Sequence, residues 1–595
     1  MSGRWIAGLN QAGMVVAFAV GIGLSSLVPS YADDPPLADV ARQDTLIVGS
    51  WAENAWKDPT LYNPFAIGSS LVTGQGSVWE GLAYWNAFKD ETIFWQASGY
   101  EYNDDFTQLT IHLRPEVKWS DGQPFTAQDV VFTMQSLIDL NGKVRFSKDL
   151  ANITKSVEAT DDHTVVIKMK APAPRYFFNF FTWKWNAGAF PIVPKHIFEG
   201  QDFATFTNYD LQKKWPITTG PFNVVASNAQ QKIFDTRDDW WASVSGLNHP
   251  LAFKREVFLA AGTDQTVRSQ MVVNGDIDIT VLAPAAAISV IQQTPDVTFH
   301  SGRKPPYGYE DTYTQQLFVP TQTAPFNSAD LRWAISYYLD RKQIVSVAWM
   351  DTTTPAPVPY PDFAGLKKYT DSIPDLLGKY NTNEYNPAKG DERMKAAGYT
   401  KNADGMWADA SGKQLKLQIA GWDEWDATGE IVVEQLRRAG IEATYSDPPD
   451  AADQLARAQY TSVIADGAQG AFRDPYEALV PFTCARTDPS GVRVVGGNKT
   501  QWCNADFDAL VDQMALIDPS NEAALMPLYR KAMEIWLPDL PSIPTFEWMH
   551  NIAMVTKYWD CWPTVDGKLG EYVNEQPRIL GFGLVLHNLC RAGSN

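Results

Sequence analysis

Positive charge is in short supply in this 595-residue chain: 49 lysines and arginines stand against 69 aspartates and glutamates, a formal net charge of −20. Nucleic acids and anionic membrane surfaces are held by basic patches that replace released counterions, so neither is expected as a partner. Cysteine is scarce as well, with four in all, and none lies in a C-x-x-C pair. The seven histidines form no H-E-x-x-H or H-x-H cluster, so the familiar metal-site spacings are missing and no metal or other cofactor is expected. There is no G-x-S-x-G elbow and no phosphate-cradling glycine loop. Carboxylate pairs fit for glycosidic cleavage occur in any acidic chain and decide nothing. An enzyme is therefore not expected. Past the N-terminus no apolar run is long enough to cross a bilayer, and there is no internal repeat or low-complexity tract.

What is present begins with an export signal. Arg4 precedes an apolar run from Met14 to Leu27, broken by Gly21 and Gly23, and Ser30-Tyr31-Ala32 supplies small residues at a cleavage site. Residues 1–32 read as a cleaved signal peptide, which sends a soluble chain starting near Asp33 to the periplasm. No cysteine follows the run, so a lipid anchor is not indicated. In an oxidising compartment the four cysteines are expected in disulfides. Cys484 with Cys503 and Cys561 with Cys590 gives the shortest loops, although three connectivities stay open.

The mature chain is several times the ~150-residue domain prior, so two or three lobes are expected. Thr45-Leu-Ile-Val-Gly49 reads as a buried strand, and Leu109-Thr-Ile-His-Leu113 alternates as a half-exposed one. After Thr126 the apolar residues Ala127, Val130, Val131, Met134 and Leu137 fall at helical steps, with Thr126 as N-cap and Asp129 three places on. Further amphipathic helices are predicted near Ser328, Asp426 and Asn521, and strands at Thr164–Met169 and Leu415–Ile419. This mixture predicts α/β lobes. The proline-rich stretch Thr352–Phe363 reads as a loop on the surface of one lobe. Asp121-Gly122 and Gly220-Pro221 read as turns.

One segment is long and specific. Leu113-Arg-Pro-Glu-Val-Lys-Trp-Ser-Asp-Gly-Gln-Pro-Phe-Thr-Ala-Gln-Asp-Val-Val-Phe-Thr133 resembles the signature of family 5 extracellular solute-binding proteins, the peptide-binding receptors of ABC importers and their oligosaccharide-binding relatives. The likeness continues through Ile192-Val-Pro-Lys-His196, Thr218-Thr-Gly-Pro-Phe222, Asn274-Gly-Asp-Ile-Asp278, Leu331–Arg341, Gln435–Ile441 and Leu540-Pro-Ser-Ile-Pro544. The resemblance implies a two-lobed periplasmic binding protein fold of the cluster C type, with an inserted extra subdomain and a hinge. Its expected division is a discontinuous first lobe at 33–77, 215–306 and 555–595, an inserted subdomain at 78–214 and a second lobe at 307–554. It also implies a monomer that docks on the permease subunits of an importer.

The same resemblance bears on the ligand. In peptide-binding relatives an acidic residue three places before the Asp of an Asp-Pro pair captures the ligand's ammonium group. Here Asp474-Pro475 is present but the matching position is Ala471, and Asp466 is the nearest substitute. Tryptophan, at 22 residues, is abundant, and a flat indole stacks on the apolar face of a sugar ring. Trp422-Asp423-Glu424-Trp425 follows a predicted strand, as do Trp51 and Trp56, and strand ends are where α/β lobes present ligand contacts. This pattern, with Trp559-Asp-Cys-Trp-Pro563, looks like the oligosaccharide-binding branch. Trp422, Trp425, Trp51, Trp56, Trp183, Trp185, Gln469 and Asp423 are the expected ligand contacts, although Asp423 and Glu424 also suit the first turn of a helix. Trp119, Trp240, Trp241 and Trp333 are expected in the core. The expected ligand is a small oligosaccharide, with an oligopeptide or amino-acid conjugate as the alternative.

Overall fold

The computed structural model describes residues 37–50, 57–69, 74–184, 189–361, 364–421, 425–468, 473–486, 498–565 and 582–593. Among these, one eleven-stranded sheet joins strands of both lobes, while residues 83–183 form two smaller sheets of their own. Its order is Glu442–Ser446, Lys416–Ala420, Val463–Ala468, Tyr309–Phe318, Ser542–Val555, Ile279–Leu282, Thr45–Ser50, Arg255–Ala260, Gln231–Thr236 and Phe222–Ser227, with Val297–Thr298 joined at the side of Ser542–Val555. Thr45–Ser50 is buried along its full length between two parallel neighbours, which is why it reads as an unbroken apolar run rather than an alternation.

The strand period of two divides the core around this sheet. Leu46 and Val48 face a large core that gathers residues from Leu46 to Phe258 and from Ile552 to Leu589. Ile47 faces a smaller one with Val257, Val290 and Ala553. A third core is drawn entirely from Leu317 to Phe546. The molecule is thus two-lobed, and residues 78–214 contribute to the same apolar core as the strands of the first lobe.

Local sequence rules account for much of this. The helix Ala127–Leu140 opens on a capping box between Thr126 and Asp129, and buries Val130, Met134 and Leu137. Ser328 and Asn521 cap the helices Ala329–Tyr338 and Glu522–Asp539. At Gly220 a Cβ would lie 2.3 Å from the Val78 carbonyl oxygen, so this reversal admits only glycine. The two disulfides are Cys484–Cys503 and Cys561–Cys590.

Tryptophan does more structural work than its count suggested. Trp119, Trp240, Trp241 and Trp333 are buried, as are Trp559 and Trp562. Buried Glu80 accepts hydrogen bonds from the indoles of Trp95, Trp240 and Trp241 at 2.9, 3.0 and 2.8 Å. Burial pushes its carboxyl up, opposed by these donors and Thr219. The His587 ring stacks on Trp95 at 4.6 Å, which ties the helix Phe582–Asn588 into the same cluster. Burial also keeps that imidazole neutral, pushing it down to about 3.

The stretch Thr352–Phe363 departs from its predicted place on the surface. Ala356, Val358 and Tyr360 are 0–1% exposed. Alternate prolines carry no N–H, so the segment has few donors to satisfy when buried. Its carbonyls are met from inside: Gln316 donates to Pro359 at 2.7 Å and Thr382 to Pro357 at 2.8 Å.

Two outcomes follow. Burial pushes the Glu256 carboxyl up to about 8 from 4.5, with Ser77 a minor opposing influence. A raised carboxyl stabilises below its unfolded value, and that stability is lost as pH rises through the folded value. Glu256→Gln should therefore match the wild type near pH 4.5 and exceed it by about 1–3 kcal/mol at pH 9; chemical denaturation at both pH values decides, and an unchanged difference would refute the assignment. Trp425→Ala should cost about 3–5 kcal/mol of ligand-free stability in urea unfolding, as removal of a core indole does; a loss below about 1 kcal/mol would return Trp425 to the surface.

Candidate functional site

Strand register locates the cleft without any ligand. Ile279 lies opposite Met554 and Leu282 opposite Asn551, so this strand and its parallel neighbour Thr45–Ser50 run with their carboxyl ends toward the middle of Ser542–Val555. On the other side Ile464 lies opposite Phe318 and Ala468 opposite Thr314, while Phe318 pairs with Ser542 and Thr314 with Glu547. Val463–Ala468 and its parallel neighbour Lys416–Ala420 therefore point to the same place. The carboxyl ends of both lobes' strands converge on one gap, the position where open α/β sheets receive ligands.

The crossing strand opens there. Ser542–Val555 is buried everywhere except at Trp548 and Met549, beside a break in its pairing between Glu310 and Thr314. Trp548 meets the ring of Trp349 edge-on at 4.9 Å, and Trp349 packs against Phe546 at 5.0 Å and donates to the Thr428 hydroxyl at 3.1 Å. Among the described residues, Trp548 and Trp215 are the tryptophans that keep partial exposure, and only Trp548 lies at this gap. Sequence reasoning missed it. The residues Glu547-Trp-Met549 stand in the middle of this strand, but nothing in the sequence says that it crosses between lobes.

The predicted contacts fare unevenly. Trp51, Trp56, Trp185, Trp422, Asp423 and Gln469 lie outside the described residues. Trp425 and Trp183 are each 1% exposed, so neither presents a free face. Trp425 stands directly before the helix Asp426–Arg438 and shares its buried face with Gly429, Val432 and Leu436, at helical spacing. Its ring packs on Phe546 at 5.6 Å. Gly421 is required beside it, since a Cβ there would fall 2.9 Å from that of Trp425. Trp183 pairs with Tyr84 in a short parallel ladder and lies against Gly81, where a Cβ would come within 2.4 Å of the indole. Both are corrected from ligand contacts to core residues.

The charges of this region are matched. Lys499 sits 2.6 Å from Asp466 and 4.9 Å over the Phe318 ring. Asp474 caps the helix Pro475–Leu479 through the Tyr476 amide at 3.0 Å and receives Arg175 in a two-pronged ion pair at 2.9 and 2.8 Å. Burial, with Asp474 adding to it, drives Glu477 toward its neutral form, and Lys184 opposes this. Deeper in, His550 and Asp311 are hydrogen-bonded to each other, and Glu547 accepts from Thr314 at 3.0 Å. Among the described residues there is no group of His, Cys, Asp and Glu fit to hold a metal ion, and no helix is long and apolar enough to cross a membrane.

Known proteins agree with this architecture. The chain is 23% identical over 549 residues to a di/tripeptide-binding protein of Pseudomonas aeruginosa, covering 87% of this chain and 92% of that one. To the periplasmic oligopeptide-binding protein of Salmonella typhimurium it is 25% identical over 388 residues, 58% of this chain and 66% of that one. The crystal structure of a periplasmic oligopeptide-binding protein of an ABC transporter from Thermotoga maritima superposes with a TM-score of 0.78 at 22% identity, over 92% of this chain and 99% of that one. The mannohexaose-bound form of that protein gives a TM-score of 0.73 at 23% identity, over 93% and 100%. These relatives are transport binding proteins, not enzymes. Residues 91–489 match the model of the bacterial extracellular solute-binding proteins, family 5 Middle, and with the two-lobed fold whose strand ends converge on one gap this chain belongs to the family 5 solute-binding proteins, the substrate receptors of ABC importers.

Proposed function

We propose that this receptor binds a small neutral oligosaccharide and delivers it, in the periplasm, to the permease subunits of its importer. The lobes of this reading are those expected above: 33–77, 215–306 and 555–595 for the first, 78–214 for the insertion and 307–554 for the second. The observation that carries the sugar reading is that the carboxylates flanking Ala471 are already neutralised. Asp466 is paired with Lys499 and Asp474 with Arg175, so neither is a bare counter-charge for a ligand ammonium, which is costly to bury unpaired. Trp548 adds a partly open indole on the cleft floor. Trp51, Trp56, Trp185 and Trp422, with Gln469 and Asp423 as hydroxyl partners, complete the proposed contacts. The mannohexaose held by the Thermotoga maritima protein supports a sugar-sized cleft in this fold.

Peptide is the second reading, favoured by the peptide ligands in the names of the relatives from Pseudomonas aeruginosa and Salmonella typhimurium. In that case the ammonium must find a carboxylate other than Asp466 or Asp474.

Calorimetric titration with mannohexaose, cello- and galacto-oligosaccharides and a di/tripeptide mixture separates the two. Binding of one sugar series is expected, with Trp422→Ala and Trp548→Ala each weakening it about tenfold or more in variants whose melting curves show that they fold. Saturable binding of peptides with no response to any sugar would refute the reading.

A further inference from the structure

The large first-lobe core and the second lobe's core are separate, yet the bodies they support also touch through a face that carries charges. Arg175 precedes the helix Tyr176–Phe181, whose aromatic residues belong to the first lobe's core. Asp474 opens the helix Pro475–Leu479, whose Ala478 and Leu479 belong to the second lobe's core. Their ion pair is buried, with side chains 5% and 2% exposed. The same guanidinium donates to the carbonyls of Ala515 and Ile517 at 3.0 and 3.2 Å and lies 4.7 Å over the Tyr476 ring.

A second pair runs the other way. Arg473 of the second lobe reaches Asp90 at 3.0 Å, and Asp90 also accepts from the Trp85 indole at 3.1 Å. Arg473 lies over the Phe178 ring at 5.4 Å, and Lys184 lies over the same ring at 4.4 Å. The first-lobe body thus offers Arg175 and Asp90, and the second lobe answers with Asp474 and Arg473.

Such a face differs from the cores in two respects. Breaking a buried pair into water loses attraction but recovers hydration, so the contact can part at modest cost, unlike packed apolar surface. A guanidinium that meets a carboxylate on two prongs and two carbonyls besides fits only one relative placement of the bodies. We propose that this face is a closure latch: Arg175, gripping Asp474, positions the second lobe against the first-lobe body in the ligand-free chain. The closed geometry of the cleft is then set partly by contacts that touch no ligand, and a ligand need supply only the remaining difference. This does not depend on whether the ligand is sugar or peptide.

The test uses the full chain without ligand. All four native cysteines are in disulfides, so Glu116→Cys and Lys395→Cys, both exposed and one on each body, can be spin-labelled for distance measurement. The short-distance population of the parent is expected to fall several-fold in Arg175→Gln and in Arg175→Gln/Asp474→Asn, and by less in Arg473→Gln, which cuts only the Asp90 pair. Arg175→Lys, which keeps the charge without the fork, should recover part of it. Melting temperatures confirm that each variant folds. An unchanged distance distribution in the folded variants overturns the latch, and so does a drop in melting temperature with the distances unmoved, which would make the pair an ordinary structural contact.

Discussion

Two antiparallel strands, Tyr309–Phe318 and Ser542–Val555, carry backbone hydrogen bonds from one lobe into the other. Ser542–Val555 pairs with Tyr309–Phe318 along most of its length and, at its carboxyl end, with Ile279–Leu282, so strands of both lobes lie in one sheet. The pairing breaks between Glu310 and Thr314. Just before it the chain is held tightly: a Cβ at Gly308 would fall 2.2 Å from the His550 carbonyl oxygen, and Asn551 donates to the carbonyls of Pro306 and Tyr307, each at 2.9 Å. The same register aims the carboxyl ends of both sets of parallel strands at this interruption. The convergence of both sets of strand ends is one consequence of a single pairing scheme.

Around that scheme the molecule separates two kinds of contact. Within each body, burial is apolar and aromatic, with indole N–H groups answered by carboxylates such as Glu80 and by backbone carbonyls, as at Trp333. Away from the shared sheet, the bodies also meet through the ion pairs Arg175–Asp474 and Arg473–Asp90. Apolar packing makes each body rigid, because interdigitated side chains do not tolerate displacement. Charged contacts hold orientation yet rehydrate when they part.

Much of the framework was legible. The capping box at Thr126, the buried strand at Thr45 and the turn at Gly220 depend on residues close in sequence, and local rules reach that far. The site was less so. Trp425 was read as a ligand contact because it follows a strand, although its spacing to Gly429, Val432 and Leu436 already placed it on the buried face of the coming helix. The proline-rich stretch from Thr352 was read as surface, because proline marks loops, but the absence of donors lets such a loop pass through the interior.

Composition and local order therefore determined by themselves that this is an acidic α/β chain without a metal-site or nucleophile motif, and the long segment from Leu113 to Thr133 carried its family. Which of the described tryptophans are buried, and which carboxylates are paired, was decided only by tertiary structure. Exposure of Trp548 depends on a strand crossing between lobes, and neutralisation of Asp474 depends on Arg175, 299 residues away. Periodicity reports which side of an element is apolar; it cannot report which distant charge will arrive to meet a given carboxylate.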